Sequence, residues 1–257
     1  YYRQCGGCTF RHMDYTEELR AKGQRVQDAL TRLGGSSVAV EEVLGAAEPL
    51  HYRNKSQYPV SADGRVGFYR ARTHQVTNLD ACLIQMPQAD AAAGALRFYM
   101  AKYHVPGYDE KTGTGLVRHL YVRTNAKGQS LICVVGNGEK LPREDALVEA
   151  MRQAVRSAVG IVLNSNTRRS NVILGDQYRT LWGEDTLTDT LCEHSFRLSI
   201  PSFYQVNRDQ AEVLYGRALA YAGLTGAETV VDLYCGIGTI TLCLARQAGR
   251  GIGAGGV

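Results

Sequence analysis

Apolar residues recur at helical spacing near the start of the chain. They lie three, four or seven positions apart, at Tyr15, Leu19, Val26, Leu30 and Leu33. Asp14 and Glu17 have the spacing of a capping box, and Gly34-Gly35 ends the run. This pattern predicts a helix that begins after Asp14 and ends before Gly34.

Residues 36–200 mix short β-like runs with two further helices. The predicted strands are SQYPV, RVGFYR and HQVTN between residues 56 and 78, then VRHLYVRT, SLICVVG, GIVLNSN and NVILG. Asn125-Ala-Lys-Gly128 separates VRHLYVRT from SLICVVG, which predicts a hairpin. Helices are predicted through QADAAAGALRFYMAKY and around Leu147 and Met151. The pattern indicates an α+β body dominated by antiparallel strands.

The pattern changes near Pro201. Asn207 and Gln210 have capping-box spacing ahead of a helix, and ETVVDLYCGIGTITLCLARQ has the order of a buried strand, a glycine turn and a helix. This order predicts the first unit of a doubly wound sheet. The predicted fold is thus an α+β central domain followed by the start of an α/β Rossmann-like domain, with divisions at 1–35, 36–200 and 201–257.

Composition excludes several classes of protein. The chain has 257 residues, 44% of them hydrophobic, and it contains neither an apolar run of about 18 residues nor a signal-peptide pattern. We therefore expect a cytoplasmic protein without a membrane partner. Because the chain begins at Tyr1 and ends in GRGIGAGGV as a new segment starts, we expect it to be a piece of a longer protein.

The seven cysteines indicate reduced thiols rather than a disulfide framework. Their number is odd, and Cys5-Gly-Gly-Cys8 has the spacing of a ligand or redox pair. A CxxC motif can form a metal site, a redox pair or a disulfide. The pair lacks the βαβ context of a thioredoxin-like motif, so a metal site is favoured.

Cations and aromatic rings alternate between His51 and Gln75. Five cationic residues, Arg53, Lys55, Arg65, Arg70 and Arg72, accompany a single acidic residue, Asp63. Cations screen phosphates and aromatic faces stack on bases, so this mixture suits single-stranded nucleic acid. The alternative is a solvated sheet with ordinary aromatic packing.

The glycine turn after Asp232 indicates a nucleotide-like ligand. Gly236 and Gly238 let a ligand approach the backbone where a strand meets a helix. A dehydrogenase fingerprint would need a third glycine where Thr241 stands. The spacing from Asp232 to Gly238 instead resembles the first motif of class I S-adenosylmethionine-dependent methyltransferases, and the alternative is an ordinary strand-to-helix turn.

Seven motifs in order extend this resemblance over nearly the whole chain. They are CGGC with Tyr15, Leu19 and Lys22, then YRNK (52–55), Cys82 before Pro87, LVRHLYVR (116–123), SNVILG (170–175), SFYQVN (202–207) and DLYCGIGTITL (232–242). Together they resemble the RNA (uracil-5-)-methyltransferases, in particular the 23S rRNA type that carries an iron–sulfur cluster.

The resemblance implies a 4Fe–4S cluster held by four cysteines. Cys5, Cys8 and Cys82 match three of these ligands, and the first would fall before Tyr1. With one ligand missing, we expect the cluster to be absent or incompletely held in this chain. A zinc site remains the alternative.

The resemblance also implies residues that bind S-adenosylmethionine. They are Gln205, Tyr234 and Thr239, with Gly236 and Gly238 leaving room for the methionyl part. The family expects an acidic residue for the ribose hydroxyls where this chain has Gly255, and that departure puts ribose anchoring in doubt.

Methylation of uracil at C5 requires a nucleophile. Such enzymes add a cysteine thiolate to C6 and later remove the C5 proton with a base. In the family both groups lie in motifs beyond the position of Val257, so no catalytic residue is assigned here and this chain alone is expected to be inactive. The thiols of Cys133, Cys192, Cys235 and Cys243 are interpreted as buried strand or helix residues.

The substrate uridine must be extruded from its stack, which favours a single-stranded loop held by cations. The candidates for RNA contact are Arg53, Lys55, Arg118 and His119, each of which could instead be structural. The predicted function is formation of 5-methyluridine in RNA, rRNA favoured over tRNA, without an obligate protein partner. The alternatives are a non-enzymatic RNA-binding module, a tRNA-type enzyme and a zinc-bound redox protein.

Overall fold

A computed structural model describes residues 1–255 of the chain, so the last two residues of the predicted 201–257 unit lie outside the described residues. The helices are α1 (Tyr15–Asp28, continued by a π-helical turn over Ala29–Leu33), α2 (Pro87–Lys102), α3 (Glu144–Ala154), α4 (Arg208–Ala222) and α5 (Thr239–Ala245). The strands are β1 (Lys55–Pro59), β2 (Gly67–Tyr69), β3 (Val76–Asn78), β4 (Val117–Thr124), β5 (Ser130–Gly136), β6 (Ala158–Ser165), β7 (Gln177–Gly183), β8 (Thr186–Leu191), β9 (His194–Ser199), β10 (Thr229–Leu233) and β11 (Arg250–Ala254).

The central sheet has the strand order β1-β4-β5-β6-β7. All its pairs are antiparallel except β5 with β6, which run parallel because α3 crosses between them. The predicted β4–β5 hairpin is confirmed. Asn125 closes it by accepting hydrogen bonds from the backbone of Lys127 and Gln129 at 3.0 and 2.9 Å.

Both faces of this sheet are covered, which explains the continuous apolar run of β5. On one face α2 and α3 pack Leu96, Tyr99 and Met151 against Ile132 and other strand residues. On the other face a smaller cluster includes Cys133, Leu187 and Ile200, from β5, β8 and the segment after β9. Every residue of β5 is buried as a result.

The first helix is confirmed, although its cap is simpler than predicted. The Asp14 carboxylate accepts a hydrogen bond from the Thr16 backbone at 2.9 Å, as an N-cap does. Glu17 forms an ion pair with Arg20 at 2.7 Å and does not complete a capping box. The helix is held against the segment that follows it, where the hydroxyl of Tyr15 accepts a hydrogen bond from the Ala46 backbone at 2.6 Å.

The predicted strand NVILG is wrong, because this segment is an irregular loop. Its main-chain groups bond to side-chain amides of β6 and the residue after it. Asn166 donates to the carbonyls of Val172 and Ile173, and Asn164 both donates to the Gly175 carbonyl and accepts from the Gly175 amide. The two amides replace the ladder that a strand would need.

The last part of the chain has the predicted strand, turn and helix. β10 and β11 pair in parallel, with α5 between them along the chain. Asn207 caps α4 by accepting from the Gln210 backbone at 3.2 Å. α4 and α5 pack with the β8–β9 hairpin in a third cluster that contains Tyr204, Tyr215 and Cys243. The order agrees with the start of a doubly wound sheet.

Within residues 1–255, none of the helices combines the length and the apolar character that a bilayer crossing requires.

Replacing Asn164 by Ala should destabilise the fold by about 2 to 4 kcal/mol. The side chain is fully buried, and its loss leaves the backbone groups of Gly175 and the carbonyl of Gln177 without partners. Urea unfolding measures the effect, with exposed Asn171→Ala as the control. Equal stability of the two variants would contradict the role given to Asn164.

Candidate functional site

The glycine turn projects from the carboxyl end of β10. Tyr234 begins it with φ of 65°, and this residue is 94% exposed. Gly236 and Gly238 have φ of 55° and 81°, values that favour glycine. A Cβ at either glycine would meet no atom within 4 Å, so the space beside the turn is open. The turn could therefore admit a ligand close to its backbone.

Two hydrogen bonds fix the helix that follows the turn. Thr239 opens α5, and its hydroxyl lies 3.1 Å from the hydroxyl of Tyr215 on α4. Thr241 donates to the carboxylate of Asp232 on β10. The predicted cofactor residue Thr239 is thus tied to α4, and Asp232 orients the turn from within its strand.

Gly255 lies against the start of the glycine turn. A Cβ there would stand 2.9 Å from the backbone nitrogen of Cys235 and 3.2 Å from the carbonyl carbon of Tyr234. In this arrangement a larger residue does not fit. At the position where the family resemblance expects an acidic residue, this chain therefore has room only for a glycine.

The segment Ser202–Asn207, called the strap below, lies along residues 53–54. The backbone amide of Asn54 donates to the Val206 carbonyl, and its side-chain amide donates to the Gln205 carbonyl, both at 2.9 Å. Arg53 also forms a backbone bridge with Asn207. The predicted cofactor residue Gln205 is thereby brought beside Arg53, a predicted RNA residue.

Arg123, which the sequence analysis missed, holds the other end of the strap. Its side chain is 1% exposed and donates hydrogen bonds to the Tyr121 hydroxyl at 3.1 Å, the Ile200 carbonyl at 3.2 Å and the Ser202 carbonyl. The one available clue was a second arginine in β4, next to the apolar run Leu120–Val122. Arg123 links β4 to the strap directly.

Arg53, Lys55 and Arg123 form a cluster of cations, called the cation cluster below. Lys55 pairs with Arg123 in the β1–β4 register, and burial together with the charges of Arg123 and Arg53 lowers the pKa of Lys55. Within the described residues, no carboxylate forms an ion pair with any of the three. Partly buried cations without counter-ions are costly, so this cluster is suited to an anionic ligand.

The other two predicted RNA residues are engaged within the fold. Arg118 is 5% exposed, donates to the carbonyls of Asn166 and Arg168 at 2.8 Å, and lies 4.2 Å from the ring centre of Tyr108. Burial and the Arg118 charge lower the pKa of His119 to about 4. A neutral imidazole and a buried guanidinium are weaker phosphate contacts than exposed cations, and the RNA contact of these two residues stays a prediction.

The glycines of CGGC let this loop approach the β2–β3 turn. The Gly6 amide donates to the Tyr69 carbonyl at 2.8 Å, and a Cβ on Gly6 would lie 2.7 Å from the Ala71 nitrogen. The loop of Cys82 is held by Asp90, which accepts from the Cys82 amide at 2.8 Å. These contacts fix each of the two predicted ligand segments within the fold.

The three predicted ligand thiols influence one another. Burial raises the pKa of Cys8, and the nearby thiols of Cys82 and Cys5 raise it further. Thiolates are the donors that an iron–sulfur cluster requires, so the residue types fit. However, within residues 1–255 no three cysteine, histidine or acidic side chains converge as a metal-ligand set. The cluster therefore stays a prediction.

The interpretation of the other four thiols is right in part. Cys133 and Cys243 are buried, in β5 and α5. Cys192 and Cys235 are only partly buried, because each lies in a turn rather than in a strand or helix.

A cavity of about 1180 Å³ joins the predicted segments. It lies between α1, residues 38–46 and α4, and its lining includes Cys8, Arg53 and Asn207. The cysteine loop, the YRNK segment and the strap thus share one groove.

The relatives found by comparison with known proteins share one description. No protein-family model matches the chain. It is 44% identical over 251 residues to a protein of Clostridium tetani named an uncharacterized RNA methyltransferase, and 42% identical over 252 residues to one of the same description from Halalkalibacterium halodurans. A Listeria monocytogenes relative with that description is 43% identical over 251 residues. Each match covers 96% of this chain and 55% of the relative, so the chain spans about half the length of these proteins.

A solved structure has the same fold over most of the chain. It is the tRNA (uracil-54, C5)-methyltransferase of Pyrococcus abyssi in complex with S-adenosyl-L-homocysteine. The match has a TM-score of 0.76 at 22% identity and covers 95% of this chain and 56% of the other. The fold described above is therefore that of the corresponding part of this methyltransferase.

Acidification should destabilise the protein through His119. Because burial holds its folded pKa near 4, the unfolded state binds the additional proton as pH falls from about 6.5 to 4. The stability is fully present above pH 6.5, and roughly 1 to 3 kcal/mol of it should be lost by pH 4.

Urea unfolding of His119→Gln between pH 7 and 4 measures this loss. The variant should show a smaller acid-induced decrease than the wild type, while exposed His12→Gln should follow the wild type. An unchanged pH dependence in His119→Gln would refute the assignment.

Proposed function

We propose that this chain is part of an S-adenosylmethionine-dependent methyltransferase that forms 5-methyluridine in RNA. The observation that carries the proposal is the contact of the strap with residues 53–54, which places Gln205 beside a cation cluster without carboxylate partners. The relatives' description as RNA methyltransferases and the fold shared with a uracil-C5 enzyme support it.

The cofactor would be held by the glycine turn and the strap. The residues proposed to hold it are Gln205, Tyr234, Gly236, Gly238 and Thr239. Tyr234 offers an exposed aromatic face, and the open space beside the two glycines admits a ligand next to the backbone. S-adenosylmethionine supplies an electrophilic methyl group when bound.

The RNA would be held by Arg53 and Lys55. A uridine is reached only after it leaves its stack, which costs a few kcal/mol, and phosphate contacts on either side keep the strand in place. Arg123 is too buried for direct contact, but its charge adds to the positive potential beside Lys55. We place the nucleophilic cysteine and the base in the part of the protein outside this chain.

We propose 23S rRNA as the substrate and Cys5, Cys8 and Cys82 as ligands of a 4Fe–4S cluster. The effect of the Cys5 and Cys82 thiols on the pKa of Cys8 supports the cluster assignment, and the family resemblance associates a cluster with the rRNA type. The Pyrococcus protein acts on tRNA, so tRNA is the alternative substrate.

Removing the charge of Lys55 should weaken RNA binding. We expect Lys55→Gln to lower the affinity of this chain for a labelled single-stranded RNA by roughly fivefold to twentyfold, and to reduce the salt slope by about one. Filter binding at several salt concentrations measures both quantities. Lys111→Gln, an exposed lysine outside the cation cluster, is the control. If both variants bind like the wild type, Lys55 does not contact phosphate.

Methyl transfer tests the activity itself. Protein expressed from the complete gene should transfer labelled methyl from S-adenosylmethionine to a 23S rRNA transcript, with 5-methyluridine as the product, and Gln205→Ala should reduce transfer. Transfer to tRNA alone would overturn the rRNA assignment. RNA binding without transfer to either RNA would instead favour a non-enzymatic RNA-binding module.

Calorimetry tests how much of the cofactor site this chain contains. A doubly wound site is built across several neighbouring strands, and the described residues supply β10 and β11. S-adenosylhomocysteine should therefore bind this chain more weakly than about micromolar. Tighter binding would contradict a site that depends on further strands.

A further inference from the structure

The turn between β8 and β9 lies against one side of α5. The turn consists of Cys192 and Glu193, both with positive φ (48° and 64°), which is the backbone of a two-residue hairpin turn. Arg246, just after α5, donates to the Cys192 carbonyl at 3.3 Å and forms an ion pair with Glu193 at 2.5 Å. These contacts fix the position of the turn relative to the helix.

Cys243 lies one helical turn before Arg246 and therefore on the same side of α5. It is 1% exposed and belongs to the third apolar cluster, against which Cys192 also packs. The backbone of Cys192 is held separately, because its amide donates to the carboxylate of Glu212 on α4 at 2.9 Å. Three elements thus hold the two thiols together.

The Cys192 side chain also affects the ionisation of Cys243. Burial raises the pKa of Cys243 to about 12, and the neighbouring Cys192 side chain contributes to the increase. Cys243 is inaccessible to solvent, whereas Cys192 is partly exposed. Neither thiol is assigned a role in methyl transfer or cluster binding. A partly exposed thiol packed against the cluster of a buried one is suited to a reaction with a small oxidant followed by internal bridging.

We propose that Cys192 and Cys243 form a reversible disulfide when the protein meets a low-molecular-weight disulfide. The Cys192 thiolate attacks one sulfur of the oxidant, forms a mixed disulfide and releases the first small thiol. Cys243 then loses its proton and attacks the Cys192 sulfur, forming the bridge and releasing the second small thiol. Two protein thiols are oxidised, and one small disulfide is reduced to two thiols.

The bridge would close the segment that carries the proposed cofactor residues. Gln205, Tyr234, Gly236, Gly238 and Thr239 all lie between Cys192 and Cys243 along the chain. A cross-link stabilises a folded chain by restricting the unfolded one. The formation of the bridge does not depend on the proposed function. An effect of the bridge on cofactor binding rests on the proposed function.

Peptide mapping after oxidation tests the bridge. We would treat the chain with oxidised glutathione, block the remaining thiols with iodoacetamide and identify the digested peptides by mass spectrometry. The expected product is a linked pair of peptides containing Cys192 and Cys243. Recovery of both cysteines in alkylated form, or linked to other cysteines instead, would overturn the proposal.

Single variants separate the two steps. Cys192→Ser should give no bridge, whereas Cys243→Ser should stop at glutathione attached to Cys192. Cys133→Ser, which removes a buried thiol from the central sheet, should bridge like the wild type. If Cys243→Ser carries no glutathione at Cys192, the proposed order of attack is wrong.

The pH dependence and thermal midpoint give two further readouts. Bridge closure in the wild type should speed up roughly tenfold per pH unit between pH 7 and 9, because Cys243 must lose its proton. Oxidation should raise the thermal midpoint of the wild type by several degrees but not that of Cys192→Ser. A pH-independent closing rate or an equal midpoint would contradict the bridge. Neither readout uses methyl transfer, so failure here leaves the proposed function unaffected.

Discussion

The hydrogen bonds of the buried Arg123 guanidinium are the interactions on which the site depends. It donates to the carbonyls of Ile200 and Ser202 and to the Tyr121 hydroxyl, and it has no carboxylate partner among the described residues. Burial of a charge costs several kcal/mol, which here is offset by carbonyl dipoles and a neighbouring ring. The same bonds determine where the chain leaves β9. They therefore determine the course of the strap.

The strap connects the two halves of the proposed chemistry. Asn54 holds its middle to the segment after Tyr52, and the cap formed by Asn207 leads it into α4. α4 in turn contacts the start of α5, directly after the glycine turn, through the hydroxyls of Tyr215 and Thr239. A continuous path of hydrogen-bonded elements thus runs from the cation cluster to the turn. This path joins the SFYQVN and YRNK segments, as the proposed site requires.

Elements with strong local signals could be predicted from the sequence. The apolar period of α1, the Asn125 turn and the strand, glycine turn and helix around Gly236 are each determined by neighbouring residues. NVILG has the same apolar character as a strand, but Asn164 and Asn166 bind its main chain from another element. Such a long-range competition is not visible in a local pattern.

The candidate site shows the same difference between local sequence signals and long-range packing. The strap, the glycine turn and Lys55 could be located from motifs, whereas burial decides what a charged residue does. Arg118 is of a residue type that commonly binds phosphate, but its side chain donates to two carbonyls inside the fold. Arg123 belongs to the same strand and was missed, although it positions the strap. Only packing against segments distant in sequence distinguishes these two arginines from Arg53.

Photo-crosslinking tests the central claim, that RNA lies along the cation cluster and the strap. A single-stranded RNA containing 4-thiouridine would be irradiated with the protein, and the modified peptides would be mapped by mass spectrometry. The structure predicts cross-links in peptides that contain residues 52–55 and 202–207. Cross-links confined to α3 and β7, on a different part of the central sheet, would contradict the account.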